Sequence, residues 1–552
     1  MLKTSNLELR TSALWQVQTS ALWLCLIVGV GGFLRLYGLE FHSLWQDEGL
    51  QYYVATQNSL GELFQQRRSF HPPLSFMINH VFLVFGGSDF LLRLPSALFG
   101  MASLPLMYVL ARDLTSKREA VFAVLVLALS PFHIWYSQEG RMYSQLLFVS
   151  LLSSVILMQA LKRGQARWWF YYAIVSAAGI YTHVFMLLGL LVHFLWLLLY
   201  ERRYLPALMA TSVVVALLFL PWALTLPWIG HFARSVSKVG LVVVPASAGR
   251  AGFTLAAVPY TFFVYAAGFS LGPTVAELHG NRSAELILRF LPSILLVTSV
   301  FAILWATGLW AICRRFGARP LGFCLLGLFV PLAGVVVYSL TPRATFNVRY
   351  TVMAFPYFCL FVGTGLAYLF SIKKVLGAAA VLTVIGISSV SVYNHFANPR
   401  YTKENIKSAV GFWRQQAQDE PLLAIGSTWS ARRYVGVSEA EHVHIVGGKD
   451  IVAAIDQVLT AQNTSSAYVS LARDWNQARE IAISKAFSTQ VKSYPGVKLL
   501  KISRRRPFQT PEPLPDRPLH IPLGVLRQNS ERTIGFMLRR SQHSEYFRLS
   551  LN

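Results

Sequence analysis

The sequence predicts a polytopic α-helical membrane protein with about eleven transmembrane helices, followed by a small C-terminal α/β domain. Of the 552 residues, 54% are hydrophobic and 13% are charged. Soluble domains carry about a quarter charged residues, so this balance indicates a membrane protein. Many apolar runs also approach the ~20 residues that cross a bilayer. The net charge of +24 comes largely from short basic clusters between those runs, which favours membrane topology over nucleic-acid binding.

The apolar runs define the predicted spans. They lie at 20–38, 90–111, 119–136, 143–161, 168–182, 184–200, 205–226, 284–312, 320–340, 350–370 and 374–393. Two further apolar stretches, 74–86 and 251–272, are interpreted as interfacial or re-entrant elements. The first is too short to cross, and a span in the second would disturb the alternation of charge between loops. A true span in 251–272 is the alternative. The long loops 39–89 and 227–283 are then both external.

Basic clusters set the predicted orientation. They occupy five alternate connecting loops, which are predicted to lie on one side of the membrane, where they also contact anionic lipid headgroups. The three short loops predicted on the opposite side hold only three basic residues, Arg141, Arg343 and Arg349. The positive-inside rule therefore predicts a multi-pass protein of the cell (inner) membrane with a cytoplasmic N-terminus and an extracytoplasmic C-terminus.

The region after the last span has a different character. Residues 396–503 alternate amphipathic helices with short apolar strands, which predicts the α/β domain and leaves 1–395 as the transmembrane domain. The predicted strands are Leu422–Ile425, Val443–Val446, Ala467–Leu471 and Val497–Ile502, and the predicted helices are Lys403–Gln418, Ile451–Leu459 and Trp475–Phe487. The tail 504–552 is basic and rich in proline, so it is predicted to be disordered.

Two adjacent carboxylates, Asp47 and Glu48, follow the first span. Acidic residues are scarce and costly in such a chain, so those at span ends usually have a function. Neighbouring side chains point about 100° apart on a helix, which predicts different roles, one in a site and one in orienting or binding. The alternative is a solvated loop acid that caps a short helix.

Other polar residues fall at the ends of spans on the same predicted face. They are His71 before two prolines, Arg93, Glu139, Arg141, Tyr143, His183, Arg349 and Tyr350. Arg349 opens a span from outside, where a guanidinium suits a phosphate, and Arg93 could contribute likewise. Simpler alternatives are snorkelling of both arginines, a Glu139–Arg141 ion pair, and structural roles for the histidines.

This one-sided distribution favours an enzyme over a transporter. A transporter is expected to bury ionisable groups near the midplane, often within repeated halves and broken helices. An external acid with external arginines instead suits a reaction between a lipid-phosphate donor and an extracytoplasmic acceptor. A transporter or flippase for lipid-linked glycans and a glycan-binding scaffold remain the alternatives.

Seven short motifs between residues 40 and 350 occur in a specific order. They are Leu44-Trp45-x-Asp47-Glu48, His71-Pro72-Pro73-Leu74, Gly86-x-Ser88-x5-Leu94-Pro95-Ser96-Ala97, Leu129-Ser130-Pro131, Ser137-Gln138-Glu139-x-Arg141-Met142-Tyr143, Tyr181-Thr182-His183 and Arg349-Tyr350. In this pattern the chain resembles the bacterial members of the GT-C class of integral-membrane glycosyltransferases. These are related to the protein O-mannosyltransferases and the lipid A aminoarabinose transferases.

The resemblance implies a polyprenyl-phosphate-sugar donor, an inverting displacement and a catalytic aspartate in the first external loop, which Asp47 matches. Relatives carry a further acidic residue in the second external loop, which Glu139 matches. The acceptor would be a glycolipid, a cell-envelope glycan or a protein. The C-terminal domain varies among such enzymes, so the resemblance says little about 396–552.

The residue types fit this chemistry independently. An inverting transfer needs a base on the acceptor hydroxyl, and Asp47 is the predicted base. An arginine would hold the charge that develops on the departing phosphate. Glu48 or Glu139 would position the acceptor or a metal. The sequence identifies no particular cofactor, and a divalent ion stays an open question, because His71, His183, Glu48 and Glu139 could ligate one but have no tight spacing.

Overall fold

The computed structural model describes residues 21–64, 71–224, 253–280, 284–341, 344–416, 419–435, 440–447, 450–474, 476–505 and 521–522. The chain divides into two compact units. The first comprises Met1–Leu39, Asn58–Gly272 and Arg289–Tyr393, and the second comprises Glu40–Gln57, Pro273–Leu288 and Asn394–Asn552. Most of the predicted loop 227–283, Arg343 and nearly all of the predicted disordered tail lie outside the described residues.

Helices dominate the chain. They are α1 (Ala21–Leu36), α2 (Gln46–Gln57), α3 (Leu60–Phe64), α4 (Leu74–Leu83), α5 (Asp89–Leu114), α6 (Lys117–Leu129), α7 (Pro131–Ser137), α8 (Tyr143–Arg163), α9 (Ala166–Thr182), α10 (Met186–Tyr200), α11 (Leu205–Ala223), α12 (Ala257–Ala267), α13 (Val275–Gly280), α14 (Ala284–Arg289), α15 (Leu291–Phe316), α16 (Ala318–Ser339), α17 (Phe355–Ile372), α18 (Lys374–Ala397), α19 (Ile406–Gln416), α20 (Thr428–Tyr434), α21 (Ile451–Ala461) and α22 (Ala478–Ala486).

Within the described residues, seven helical segments are long and apolar enough to cross a membrane, or eight if the bent pair α6–α7 is one span. Each of the eleven predicted spans contains a helix, but α1, α9 and α10 are shorter, at no more than 17 residues. The count of eleven therefore stays a prediction. Helices α4 and α12 have 10 and 11 residues, fewer than the ~20 that cross a bilayer. The interfacial or re-entrant placement of 74–86 and 251–272 stays a prediction.

The break between α6 and α7 has a clear cause. Pro131 lacks a backbone N–H, and the two helices meet there at 59°. Ser130 caps the second helix, since its Oγ accepts the His133 N–H at 3.2 Å. The fully buried guanidinium of Arg35 caps the first, donating to the carbonyl oxygens of Leu127 and Ala128 at 3.0 Å each. These bonds satisfy carbonyls that would otherwise be costly in an apolar interior.

Helices α15 and α17 touch backbone to backbone through glycines. A Cβ on Gly308 would lie 1.8 Å from the Phe361 carbonyl oxygen, and a Cβ on Gly365 would lie 2.1 Å from the Leu304 carbonyl oxygen. Because lipid tails are as apolar as leucine, such close backbone packing is a main source of helix association in membranes.

The second unit contains a six-stranded sheet. Its strands are β1 (Leu422–Ile425), β2 (Val443–Ile445), β3 (Ser466–Ala472), β4 (Phe487–Tyr494), β5 (Val497–Arg504) and β6 (Ile521–Pro522), in the order β4-β5-β3-β1-β2-β6. The neighbours of β1 are parallel to it, whereas β4, β5 and β6 pair antiparallel.

The predicted strands and helices between 403 and 502 are present, with ends shifted by a few residues. Sequence patterns missed β4, β6 and the short helix α20. Strand β4 lies at the edge of the sheet and exposes most of its side chains, so it lacks the apolar alternation by which a strand is recognised.

Replacing Gly365 by alanine should separate α15 from α17, because the new methyl group meets backbone that has no rotamer to escape into. We expect the free energy of unfolding to fall by about 1–3 kcal/mol, seen as a lower melting temperature in detergent. Gly386→Ala is the matched control, since nothing lies within 4 Å of its added Cβ. Equal melting of the two variants would contradict the close packing.

Candidate functional site

The loop between α7 and α8 is buried and held from two sides. The Gln138 side-chain amide donates to the carbonyl oxygens of Leu34 at 3.1 Å and Tyr37 at 2.6 Å, which ties the loop to the end of α1. Gly140 packs on α5, where an added Cβ would lie 2.7 Å from Leu92 Cγ. The first contact uses the side-chain amide of Gln138, and the second uses the absence of a side chain at Gly140. Two residues of the Ser-Gln-Glu-Gly-Arg motif therefore fix the loop.

This anchoring buries two charged residues. Glu139 and Arg141 are 2% and 4% exposed, far below the values of solvated loop side chains. The Arg141 carbonyl oxygen accepts from Ser96 Oγ at 3.0 Å, so α5 also holds the loop from the other end. Burying a charged side chain costs free energy unless the charge is paired or hydrogen-bonded.

Arg349 lies in a 3-10 turn, Val348–Ala354, that leads into α17. The Asn347 Oδ1 caps this turn by accepting the Arg349 N–H at 3.1 Å. The guanidinium carbon is 5.3 Å from the Tyr143 ring centroid and 5.4 Å from that of Tyr350, which is cation–π distance. Arg349 is 6% exposed, so it does not snorkel to the surface.

His183 ends α9 and stands beside the same tyrosines. Its ring centroid is 6.2 Å from those of Tyr143 and Tyr350 and 5.6 Å from that of His71. The Phe185 N–H donates to His183 Nδ1 at 3.1 Å, so the neutral ring carries its proton on Nε2. That buried Nε2 has no hydrogen-bond partner among the described residues. Nε2 is therefore a hydrogen-bond donor within the described part of the chain.

The two histidines are uncharged. Burial, helped by the charges of Arg141 and Arg349, lowers the pKa of His183 to about 3. Burial lowers the pKa of His71 well below its ordinary value as well, with Arg141, His183 and Arg349 acting in the same direction. Positive charge in this cluster is therefore carried by arginine, and the histidines act as neutral donors or acceptors.

Seven of the predicted site residues thus lie in one part of the first unit. They are His71, Glu139, Arg141, Tyr143, His183, Arg349 and Tyr350, here called the arginine cluster. Arg93 has a different neighbourhood, because its Nη1 donates to the Leu39 carbonyl oxygen at 2.8 Å and its side chain is 1% exposed. Gln138, Asn347 and Arg35 were assigned no role from the sequence, although Gln138 stands in one of the seven motifs and Asn347 is a typical capping residue before a helical turn.

Asp47 and Glu48 belong to the second unit, in the first turn of α2. Both are buried, at 6% and 0% exposed. Glu48 is the third helical residue, and its Oε2 accepts the Trp45 backbone N–H at 3.4 Å. An acid at this position that reaches back to the N-cap is half of a capping box. The capping role that the sequence left open for this pair is therefore filled by Glu48, next to Asp47.

Across the described parts of the chain, no group of three or more histidine, cysteine or acidic residues is placed to hold a metal ion. The four residues considered as metal ligands are divided between the two units, with Glu48 in the second. The arginine cluster offers donors and a cation instead, which suits an anionic oxygen.

Residues 70–228 match the protein family described as dolichyl-phosphate-mannose-protein mannosyltransferase. Over 158 residues the chain is 32% identical to YycA of Bacillus subtilis (strain 168), which is named as a mannosyltransferase of unestablished activity. The match covers 26% of this chain and 22% of that relative, so the chain spans less than a quarter of its length.

Solved structures extend the likeness over most of the chain. ArnT from Cupriavidus metallidurans, solved with undecaprenyl phosphate, matches with a TM-score of 0.51 and 15% identity, covering 87% of this chain and 98% of that one. This chain has the GT-C fold. The archaeal oligosaccharyltransferase AglB from Archaeoglobus fulgidus, solved with an inhibitory peptide and dolichol-phosphate, matches at 0.50 and 12% identity, covering 94% and 78%. The predicted resemblance to GT-C membrane glycosyltransferases is thereby confirmed.

The neutral histidines of this GT-C protein predict a pH-dependent stability. Below about pH 6.5 an unfolded histidine takes up a proton, whereas His183 in the folded protein does so only near pH 3. Stability should therefore fall as the pH is lowered, by about 2 kcal/mol for His183 between pH 7 and pH 5. Melting in detergent at both pH values should show a smaller loss for His183→Gln than for the wild type.

The exposed His442 provides the control. His442→Gln should lose as much stability as the wild type over the same interval. If His183→Gln and the wild type lose the same amount, His183 is not held neutral in the folded protein.

Proposed function

We propose that this protein is an integral-membrane glycosyltransferase that moves a sugar from a polyprenyl-phosphate-linked donor to an extracytoplasmic acceptor. The observation that carries the proposal is the buried Arg349, backed by two tyrosine rings and accompanied by the unused Nε2–H of His183. Two structures of the same fold, ArnT and AglB, were solved with undecaprenyl phosphate and dolichol-phosphate, respectively. Their ligands support a lipid phosphate as the group that the arginine cluster binds.

The chemistry of the cluster suits a phosphate that gains charge. A guanidinium offers two parallel N–H donors that match two phosphoryl oxygens. His183 would add a third donor through Nε2 without adding charge. Such donors, already in place in a site that excludes water, stabilise charge as it appears in the transition state.

Asp47 is the proposed base. The acceptor hydroxyl oxygen would attack the anomeric carbon and pass its proton to the Asp47 carboxylate, while the bond from that carbon to the phosphate oxygen breaks. The electron pair leaves with the polyprenyl phosphate, and the configuration at the sugar inverts. Glu48 is occupied with the helix N-terminus, which favours Asp47 over Glu48 for proton transfer. Glu139 would position the acceptor.

The proposal includes the predicted orientation. Eleven spans place the N-terminus in the cytoplasm and put both the arginine cluster and an α/β domain at 396–503 outside, with the tail 504–552 beyond it. Basic loops on one side support this arrangement. The acceptor would be a glycolipid, a cell-envelope glycan or a protein, and the sugar a hexose or a pentose.

Asp47→Asn should abolish sugar transfer without disturbing membrane insertion or folding. The amide keeps the size of the carboxylate but cannot take up the proton, and loss of a positioned base typically lowers the rate by about 10²–10⁴. The measurement is release of polyprenyl phosphate and formation of the glycosylated acceptor by the purified protein. Asp419→Asn, at an exposed position, is the matched control, and wild-type turnover by Asp47→Asn would remove the residue from the mechanism.

Arg349→Lys should be impaired in transfer and Arg349→Ala more so, because lysine keeps the charge but loses the two-pronged geometry. If Arg349 stabilises charge on the departing phosphate, kcat falls, whereas a role in holding the ground state raises KM for the donor. We expect the larger effect on kcat. The same substitutions at the exposed Arg314 should leave both constants unchanged, and unaltered kinetics in Arg349→Ala would refute the assignment.

A further inference from the structure

The second unit joins two parts of the sequence that lie nearly four hundred residues apart. Helix α2, which carries Asp47, packs against the short helix α20, which directly follows strand β1 of the sheet. Sequence analysis treated the first segment as a free external loop and assigned no role to the C-terminal domain. Their contact gives both a shared function.

Two hydrogen bonds connect α20 to the chain just before Asp47. The Trp429 backbone N–H donates to Gln46 Oε1 at 3.0 Å. The Ser427 side chain does not cap α20, so Gln46 supplies a bond that the helix N-terminus otherwise lacks. At the other end of α20, the Tyr434 hydroxyl oxygen accepts the Leu44 N–H at 2.7 Å. Residues on both sides of the α2 N-cap are thus fixed by the C-terminal domain.

Between these bonds the two backbones are in direct contact. A Cβ on Gly49 would lie 2.5 Å from both the Trp429 carbonyl carbon and the Ser430 nitrogen. Real Cβ atoms essentially never come so close, so only glycine allows this approach. The distance between α2 and α20 is therefore set by the absence of a side chain at this position.

Stacked aromatic and arginine side chains continue the contact after Gly49. The Arg432 guanidinium carbon lies 3.9 Å from the Tyr53 ring centroid, and that of Arg433 lies 4.4 Å from the Tyr52 centroid. Tyr53 also stacks on Trp429 at 4.8 Å. Such contacts are worth roughly 0.5–2 kcal/mol each, and they prevent rotation of α2 about its own axis.

We propose that α20 is the positioning element for Asp47, so that the C-terminal domain sets the orientation of the catalytic base. Gln46, Gly49 and Tyr53 follow the i, i+3, i+7 spacing and share the face held by α20. Asp47 is about 100° round the helix from Gln46 and about 160° from Gly49. The C-terminal domain thus contacts one face of α2, and the Asp47 carboxylate lies on a different face of that helix. This inference rests on the proposed function.

The test compares variants of this face in the full-length protein. Gly49→Ala should lower kcat at least tenfold, because the methyl group displaces α2, while KM for donor and acceptor stays near the wild-type value. Gly411→Ala is the matched control in the same unit, since nothing lies within 4 Å of its added Cβ. It should retain wild-type kcat.

A second series guards against a folding defect in Gly49→Ala. Tyr53→Leu removes the ring on which Arg432 stacks and should lower kcat, whereas Tyr53→Phe keeps the ring and should restore it. Melting temperatures of the Tyr53 variants should agree within a few degrees. Wild-type kcat in Gly49→Ala and Tyr53→Leu would overturn the inference, and so would a raised acceptor KM with unchanged kcat, which would make this face a binding surface.

Asp47→Asn in the same assay separates the two proposals. If Asp47→Asn is inactive and the α20-face variants turn over normally, the positioning role fails and the proposed base stands. If Asp47→Asn is fully active, the proposed mechanism itself fails and the positioning of Asp47 loses its meaning with it.

Discussion

The transmembrane part of this protein depends on hydrogen bonds to the backbone carbonyl oxygens that are exposed where the helix breaks between α6 and α7. Pro131 interrupts the ladder, and carbonyls left without partners in a membrane interior cost several kcal/mol each. Arg35 satisfies two of them and also lies 2.6 Å from His133 Nδ1. After this break, α7 leads into the buried loop that carries Glu139 and Arg141. The position of this loop therefore depends on the end of α6.

The arginine cluster illustrates how a membrane protein keeps permanent charge where water is scarce. Tyrosine rings flank the Arg349 guanidinium, and their negative faces partly replace lost hydration. Burial and nearby arginines together keep His71 and His183 neutral, so they supply hydrogen-bonding nitrogens without further repulsion.

In the second unit, the feature to be explained is the fixed orientation of helix α2. A short acidic helix between a span and a long loop has little reason to hold one orientation, since isolated helices of this length are marginal in water. Contacts with α20 supply that restraint through hydrogen bonds, a glycine contact and stacked arginines. A reactive group is useful only when held near its productive geometry, and the proposed positioning of Asp47 would give the C-terminal domain that role.

The sequence by itself determined the membrane class, the positions of the long apolar helices and most of the strands, because hydrophobic periodicity and run length follow directly from residue order. Seven of the polar residues that stood out at span ends lie together in the arginine cluster; their roles stay a prediction. Only the tertiary structure decided that Glu48 caps a helix, that Arg35 closes a broken one, and that residues 44–53 belong with the C-terminal sheet. The last two features depend on contacts between residues far apart in the chain, which no local pattern encodes, whereas the Glu48 cap is a local contact that the sequence had left open as an alternative. Strand β4 escaped prediction for a related reason, since its place is set by pairing with β5 rather than by apolar alternation of its own.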